Sequence, residues 1–408
     1  MRTTVFFFLI ASLFGVVLRS FYLLDLSFFE YKHLLHAHSH VALLGWGYML
    51  ISGAILFLFV RRSPRRILSS LYFFNLISGV GMAIFFTYQG YGAYSIAFST
   101  LHLVSVYIFA FHALRNLHNN LNEQHIPFIR WGIYWLLIST LGLWAIAPIS
   151  IVLGKLHPAY NMSIQFFLHF QFNGWFTLAV IGLLVFHARK IHKGTTIPKI
   201  GFWLLQSSVL LTYSLSVTWI FPDTVVFYLN AVGVLLEVIS FVIILRSIFT
   251  SQLFISPGNW TDNILLLGVI CLVLKLIFHM AFAIPEIAML SNSSRSYLIA
   301  FIHLVMLGSI SLTGISLLTK YGLFPSNRII KKGWILLSIA FFGTEVILFC
   351  YSVIASSVAL SPNTINHLLL AITTLFPISL LMVLIGFSVS GSNKYLKQLN
   401  HNYDINQF

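Results

Sequence analysis

The sequence predicts an all-α polytopic membrane protein: twelve transmembrane helices, read as three pseudo-repeated four-helix units within one integral membrane domain, residues 1–408. Three observations predict this. Hydrophobic residues make up 59% of the chain and charged residues only 8%, against about a quarter charged in a soluble domain. Apolar stretches of roughly twenty residues recur along the whole chain, the length at which a helix crosses hydrocarbon and about twice that of a barrel strand. A histidine–glycine spacing also returns at intervals of about 130 residues.

The first apolar stretch, within MRTTVFFFLIASLFGVVLRSF, predicts a span over 3–24. It resembles a signal peptide only superficially, because its run is longer than a usual hydrophobic core and no small-residue cleavage site follows. The second span, 34–60, opens with HAHSH and ends at Arg61 and Arg62. Spans are then expected at 66–86, 94–114, 129–153, 161–187, 199–221, 224–247, 262–285, 296–319, 332–356 and 363–390. Cys271 and Cys350 both fall inside apolar runs, far from any CxxC, and read as buried thiols that report no redox compartment.

The formal charge is +14, yet its distribution excludes nucleic-acid binding. Arg2, Arg61, Arg62, Arg65, Arg66, Arg115, Arg130, Arg189, Lys190, Lys193, Lys199, Arg246, Lys320, Arg328, Lys331, Lys332, Lys394 and Lys397 all fall on one side of a twelve-span topology. Only Arg19, Lys32, Lys155, Lys275 and Arg295 do not. This is the positive-inside bias. It predicts a bacterial cytoplasmic (inner) membrane protein, surrounded by lipid, with both termini cytoplasmic. The HAHSH cluster then lies at the outer end of span two. His112, His118, His125, His187, His192 and His401 fall at cytoplasmic ends or in the tail and read as solvated.

Three even-numbered spans open on the same pattern. Span two has His40-VALL-Gly45, span six His169-FQFN-Gly174 and span ten His303-LVML-Gly308. The next even span in each set adds a polar residue: His102, Asn230 and His367. The units implied are about 1–125, 126–255 and 256–395. Polar and ionisable groups in hydrocarbon are costly and tend to mark function. Imidazole is a common ligand for haem iron and suits copper. Within the first cluster, His36 and His40 share a helical face at i, i+4, with His33 beside them, while His38 points elsewhere, so one helix can serve two sites. The glycines have two readings, space for a macrocycle or close helix packing. Spans two, six and ten contain no proline.

HAHSHVALLGW followed by GYMLISGAILF resembles the second span of the haem–copper oxidase subunit I superfamily, and most closely its NnrS branch, whose second span carries HxHxxxxG. Here these are His38, His40 and Gly45. FIHLVMLGSISLTGISLL, 301–318, resembles the tenth span of that branch. The resemblance implies a haem, of b type, between spans two and ten, bound by His303 with His38 or His40. It also implies a role in nitric oxide or respiratory stress responses or in electron transfer, with a cytochrome or quinol as electron donor. The oxidases hold a second metal with a histidine on the sixth span and a pair on the seventh. His169 matches the first, but span seven, GFWLLQSSVLLTYSLSVTWIF, has no histidine. A terminal oxidase is therefore not expected. A copper ion would have to draw on His36, His102, His169 or His367. Two rival readings remain: a secondary transporter of a metal ion or small molecule, and a cofactor-free assembly subunit.

Three further charges lie within apolar runs: Glu237, Lys275 and Glu345. Lys275 and His279 form an i, i+4 pair, and Glu237 shares a face with Asn230. Buried charges are usually paired, so Lys275 is expected to pair with Glu237 or Glu345, or to belong to a proton path.

Overall fold

The structure is a computed structural model that describes residues 1–60, 63–117, 123–250, 259–293, 295–354 and 361–390. Arg61, Arg62, His118, Lys394, Lys397 and His401 lie outside the described residues, as do the side chains of Arg295 and Cys350. Among the described residues there is no strand, only an isolated bridge between Val60 and Leu117.

Twelve helices are long and apolar enough to cross a membrane. They are Arg2–Ser20, Tyr31–Leu58, Arg65–Gln89, Ala93–Asn116, His125–Val152, Pro158–Ile191, Lys199–Thr218, Thr224–Phe249, Trp260–Phe282, Ser296–Lys320, Arg328–Phe349 and Asn363–Val389, called spans one to twelve below. Hydrocarbon offers no partners to backbone groups, so each crossing segment must satisfy them internally as helix. The starts carry local signals. Asp223 accepts from the Val225 amide, Asn259 from Thr261 and Ser361 from Thr364, each filling a donor that a helix N-terminus leaves open. Gly90, at φ +57°, and Gly322, at φ +80°, close spans three and ten in the left-handed region that a side chain would strain.

Spans two, six and ten form the interior. In span six, 94% of the most apolar stretch is buried, against 67% in span ten and 56% in span two. They meet at Gly47, where a Cβ would stand 2.6 Å from Met306 Cε of span ten and 3.3 Å from Phe176 Cζ of span six. Trp46 Nε1 donates to Ser311 Oγ at 2.7 Å, tying span two to span ten. The other spans pack around these three, with span one against spans two and twelve, and span seven against span eight. Side chains such as Ile151, Val242, Ile339 and Val346 stay exposed on the outside, as expected where the solvent is hydrocarbon.

Spans two, six and ten contain no interior proline, yet none of them is a regular α-helix throughout. Each instead contains a π-helical segment that begins on the residue after its histidine: Val41–Tyr48 after His40, Phe170–Phe176 after His169 and Leu304–Leu312 after His303. Hydroxyls reach back over the wider turn, from Thr177 to the Phe172 carbonyl and from Ser311 to that of Met306. Such segments are rare and concentrate at functional sites. Two outer spans are also interrupted. Span twelve breaks at Thr374, where Pro377 has no amide to offer the Thr373 carbonyl. Span seven breaks after Leu211, where Thr212 and Ser214 turn their hydroxyls onto the Ser208 and Leu211 carbonyls.

The glycines of the repeated pattern are close-packing positions. A Cβ on Gly45 would meet Phe7 at 3.1 Å, one on Gly174 Trp135 Cβ at 2.6 Å, and one on Gly308 Cys271 at 2.7 Å. Gly174→Ala is therefore expected to lower stability by about 1–3 kcal/mol through overpacking. The thermal midpoint in detergent measures it, and an unchanged midpoint would contradict this packing.

Candidate functional site

The two faces of span two lead to different neighbours. On one, His38 Nδ1 donates to the Ala11 carbonyl of span one at 2.8 Å. This fixes the tautomer and leaves Nε2 with its lone pair. His303 of span ten lies within electrostatic range of His38 and Arg19. Glu345 of span eleven approaches His303, with 3.8 Å from Oε1 to Nδ1, longer than a hydrogen bond. His303 Nδ1 and both Glu345 oxygens are buried without a hydrogen-bond partner. Arg19 also acts on Glu345.

On the opposite face, His40 Nδ1 donates to the His36 carbonyl at 2.9 Å. Its ring stacks on Phe86 of span three at 4.1 Å, and Tyr91 lies 4.5 Å from the His36 ring. His102 of span four is within electrostatic range of His40 and meets the Tyr48 ring edge-on at 4.8 Å. His102 Nε2 is buried without a partner. His303 is thus within electrostatic range of His38, and His102 within that of His40.

The remaining histidines diverge. His169 is buried with both ring nitrogens engaged: Nε2 donates to the Val209 carbonyl of span seven at 2.8 Å, and Nδ1 accepts from Asn173 Nδ2 at 3.1 Å. His367 is exposed on span twelve and donates to its own Asn363 carbonyl. The four residues His36, His102, His169 and His367 are not brought to one place. Among the described residues, no group of three or more His, Cys, Asp or Glu is placed to hold a metal ion.

Glu237 binds two partners from span nine. Lys275 Nζ lies 3.0 Å from Oε1 and His279 Nδ1 2.6 Å from Oε2, with all three side chains buried. Of the two acids expected for Lys275, Glu237 is the one that pairs. His279 joins because it lies one turn beyond Lys275 on the same face.

Of the histidines read as solvated at the cytoplasmic end, three are buried instead. His112 bonds Ser63 Oγ, His125 pairs with Glu123 between the Phe59 and Phe186 rings, and His187 bonds the Tyr321 hydroxyl. The bundle's end is packed, and sequence position near a loop did not reveal that. Two residues with consequences for a site went unmarked in the sequence, Arg19 and Trp219. Arg19 is visible as a basic residue on the wrong side of the charge bias. Trp219 carries no signal among nine tryptophans.

No protein-family model matches the chain and no curated protein is significantly similar to it.

Proposed function

We propose that the chain is a haem-binding protein of the bacterial cytoplasmic membrane, in which His38 and His303 would hold the haem. The observation that supports this reading is that His303 lies within electrostatic range of His38, which sits on the face of span two away from His40. The donor set suits the group. A porphyrin supplies four ligands itself, so two facing imidazoles suffice. His38 offers Nε2 while its Nδ1–H is held by a backbone carbonyl, the usual support for a ligating imidazole. Glu345, buried without a partner beside His303 Nδ1, is placed to support the second ring in the same way. A haem held there by His38 and His303 would supply one-electron transfer. The residues serve to fix the tautomer of His38 and to hold a buried carboxylate near His303.

A nitric oxide or respiratory stress response, or electron transfer from a cytochrome or quinol, is consistent with that site. Copper is not proposed. At the position the oxidases use, His169 has spent both nitrogens, and span seven meets it with the Val209 carbonyl, and with Thr212 and Ser216 in the same cavity wall, rather than with imidazoles. The three π-helical segments support reading the chain as three four-helix units, about 1–125, 126–255 and 256–395, with both termini cytoplasmic by the charge bias.

The reduced-minus-oxidised spectrum of detergent-purified protein, with a pyridine haemochrome assay, tests the proposal. A b-type spectrum is expected. Absence of haem after expression with an adequate haem supply overturns it and favours a transporter or an assembly subunit.

A further inference from the structure

A cavity of about 90 Å³ lies among spans six to ten, at the same end of the bundle as the histidine cluster. Its walls are mostly apolar, with Phe172, Val234, Phe282 and Phe301 among them. Three lining residues carry a buried polar atom with no hydrogen-bond partner: Asn173 Oδ1, Asn230 Oδ1 and Trp219 Nε1. Asn173 and Asn230 are 8% and 1% exposed, so neither oxygen is served by bulk solvent.

The orientation of both carboxamides follows from their other bonds. His169 Nε2 donates to the Val209 carbonyl, so Nδ1 holds the lone pair and must receive Nδ2 of Asn173. Asn230 Nδ2 donates to the Phe282 carbonyl at 3.1 Å, and a carbonyl can only accept. Each amide nitrogen is committed, and each oxygen is left over. The indole N–H of Trp219 can only donate. The unmet demand is therefore for two donors and one acceptor.

Charge narrows the occupant. His279, in the cavity wall, is bonded to Glu237, and Glu237 is balanced by Lys275. The paired charges cancel behind the wall. Two amide oxygens and Glu237 disfavour an anion, while an indole N–H and Lys275 disfavour a cation. Buried polar atoms left unpaired are expensive, and sites of this kind combine apolar walls with a few placed polar groups.

We propose that this cavity binds a small uncharged molecule with two hydrogen-bond donors and one acceptor, of the primary amide type. The NH₂ group would serve Asn173 and Asn230, the carbonyl would accept from Trp219, and an alkyl group would pack on the phenylalanines. This site is independent of the haem, which would lie on the other side of span ten.

The test is saturation-transfer NMR on the purified, haem-replete protein with acetamide as the probe, against acetone and acetate, which only accept. Acetamide is expected to bind and the other two are not. Asn230→Leu and Trp219→Phe should each weaken acetamide about tenfold, the loss of one buried hydrogen bond. Trp219→Phe keeps an aromatic ring in the wall, so a folded variant is secured even if Asn230→Leu is damaged. Gel filtration and the visible spectrum report on folding and haem separately from the cavity. Equal binding of acetone, no binding of acetamide, or acetamide binding unchanged in both variants overturns the proposal. So does a thermal midpoint raised by sodium over choline chloride in the wild type but not in Asn230→Leu, which would make the site a cation site.

Discussion

Glu237→Ala is expected to destabilise the protein by about 3–5 kcal/mol, the range seen when one partner of a buried ion pair is removed. Lys275 is fully buried, so its amino group would be left with no anion to face and no route to water. His279 would lose the acceptor of its Nδ1–H in the same step. Removing both charges tells a different story. In Glu237→Leu with Lys275→Met, the desolvation of two ions disappears together with their attraction, and such replacements are often neutral or stabilising. The double variant should therefore recover most of the loss. Thermal midpoints in one detergent, read for Glu237→Ala and for the double variant, decide this. A Glu237→Ala midpoint within about 2 °C of the wild type would mean that the network contributes little, since 1 kcal/mol corresponds to about 2–4 °C even in larger domains.

His38→Ala and His303→Ala are each expected to abolish the b-type spectrum, while His40→Ala retains it. The three substitutions remove similar volumes from the same end of the bundle, so a general loss of packing would not separate them. Geometry does. His38 and His40 are two residues apart, about 200° around a helix, and cannot serve the same neighbour. His38 is held by Ala11 on the side of His303, and His40 is stacked on Phe86 on the side of His102. Haem content per protein by pyridine haemochrome, alongside gel filtration, measures the effect. Haem lost in His40→Ala and kept in His38→Ala would reverse the assignment. Glu345→Gln should keep the haem but shift its midpoint potential, because a neutral amide near His303 replaces a carboxylate.

Some of this was legible in the chain alone. Twelve apolar stretches force twelve helices, because hydrocarbon leaves backbone groups no other partners. The predicted and observed spans agree in number, and the end shifts are small: span two begins at Tyr31, before the histidines, and span one ends at Ser20. The even spacing of His40, His169 and His303 placed them in the spans that turned out to be central, and each precedes a π-helical segment. The two faces of span two followed from helical period alone.

What the sequence determined is thus what depends on one helix at a time: crossing length and the face a residue occupies. Only the tertiary structure decided which neighbour each face meets, because the helical period says where a side chain points and not what stands there. The choice of Glu237 over Glu345 for Lys275 and the burial of His112, His125 and His187 all belong to packing between spans. So does the cavity, since Asn173 and Asn230 come from spans six and eight and Trp219 from just beyond span seven, and their unmet hydrogen bonds exist only once those spans are assembled.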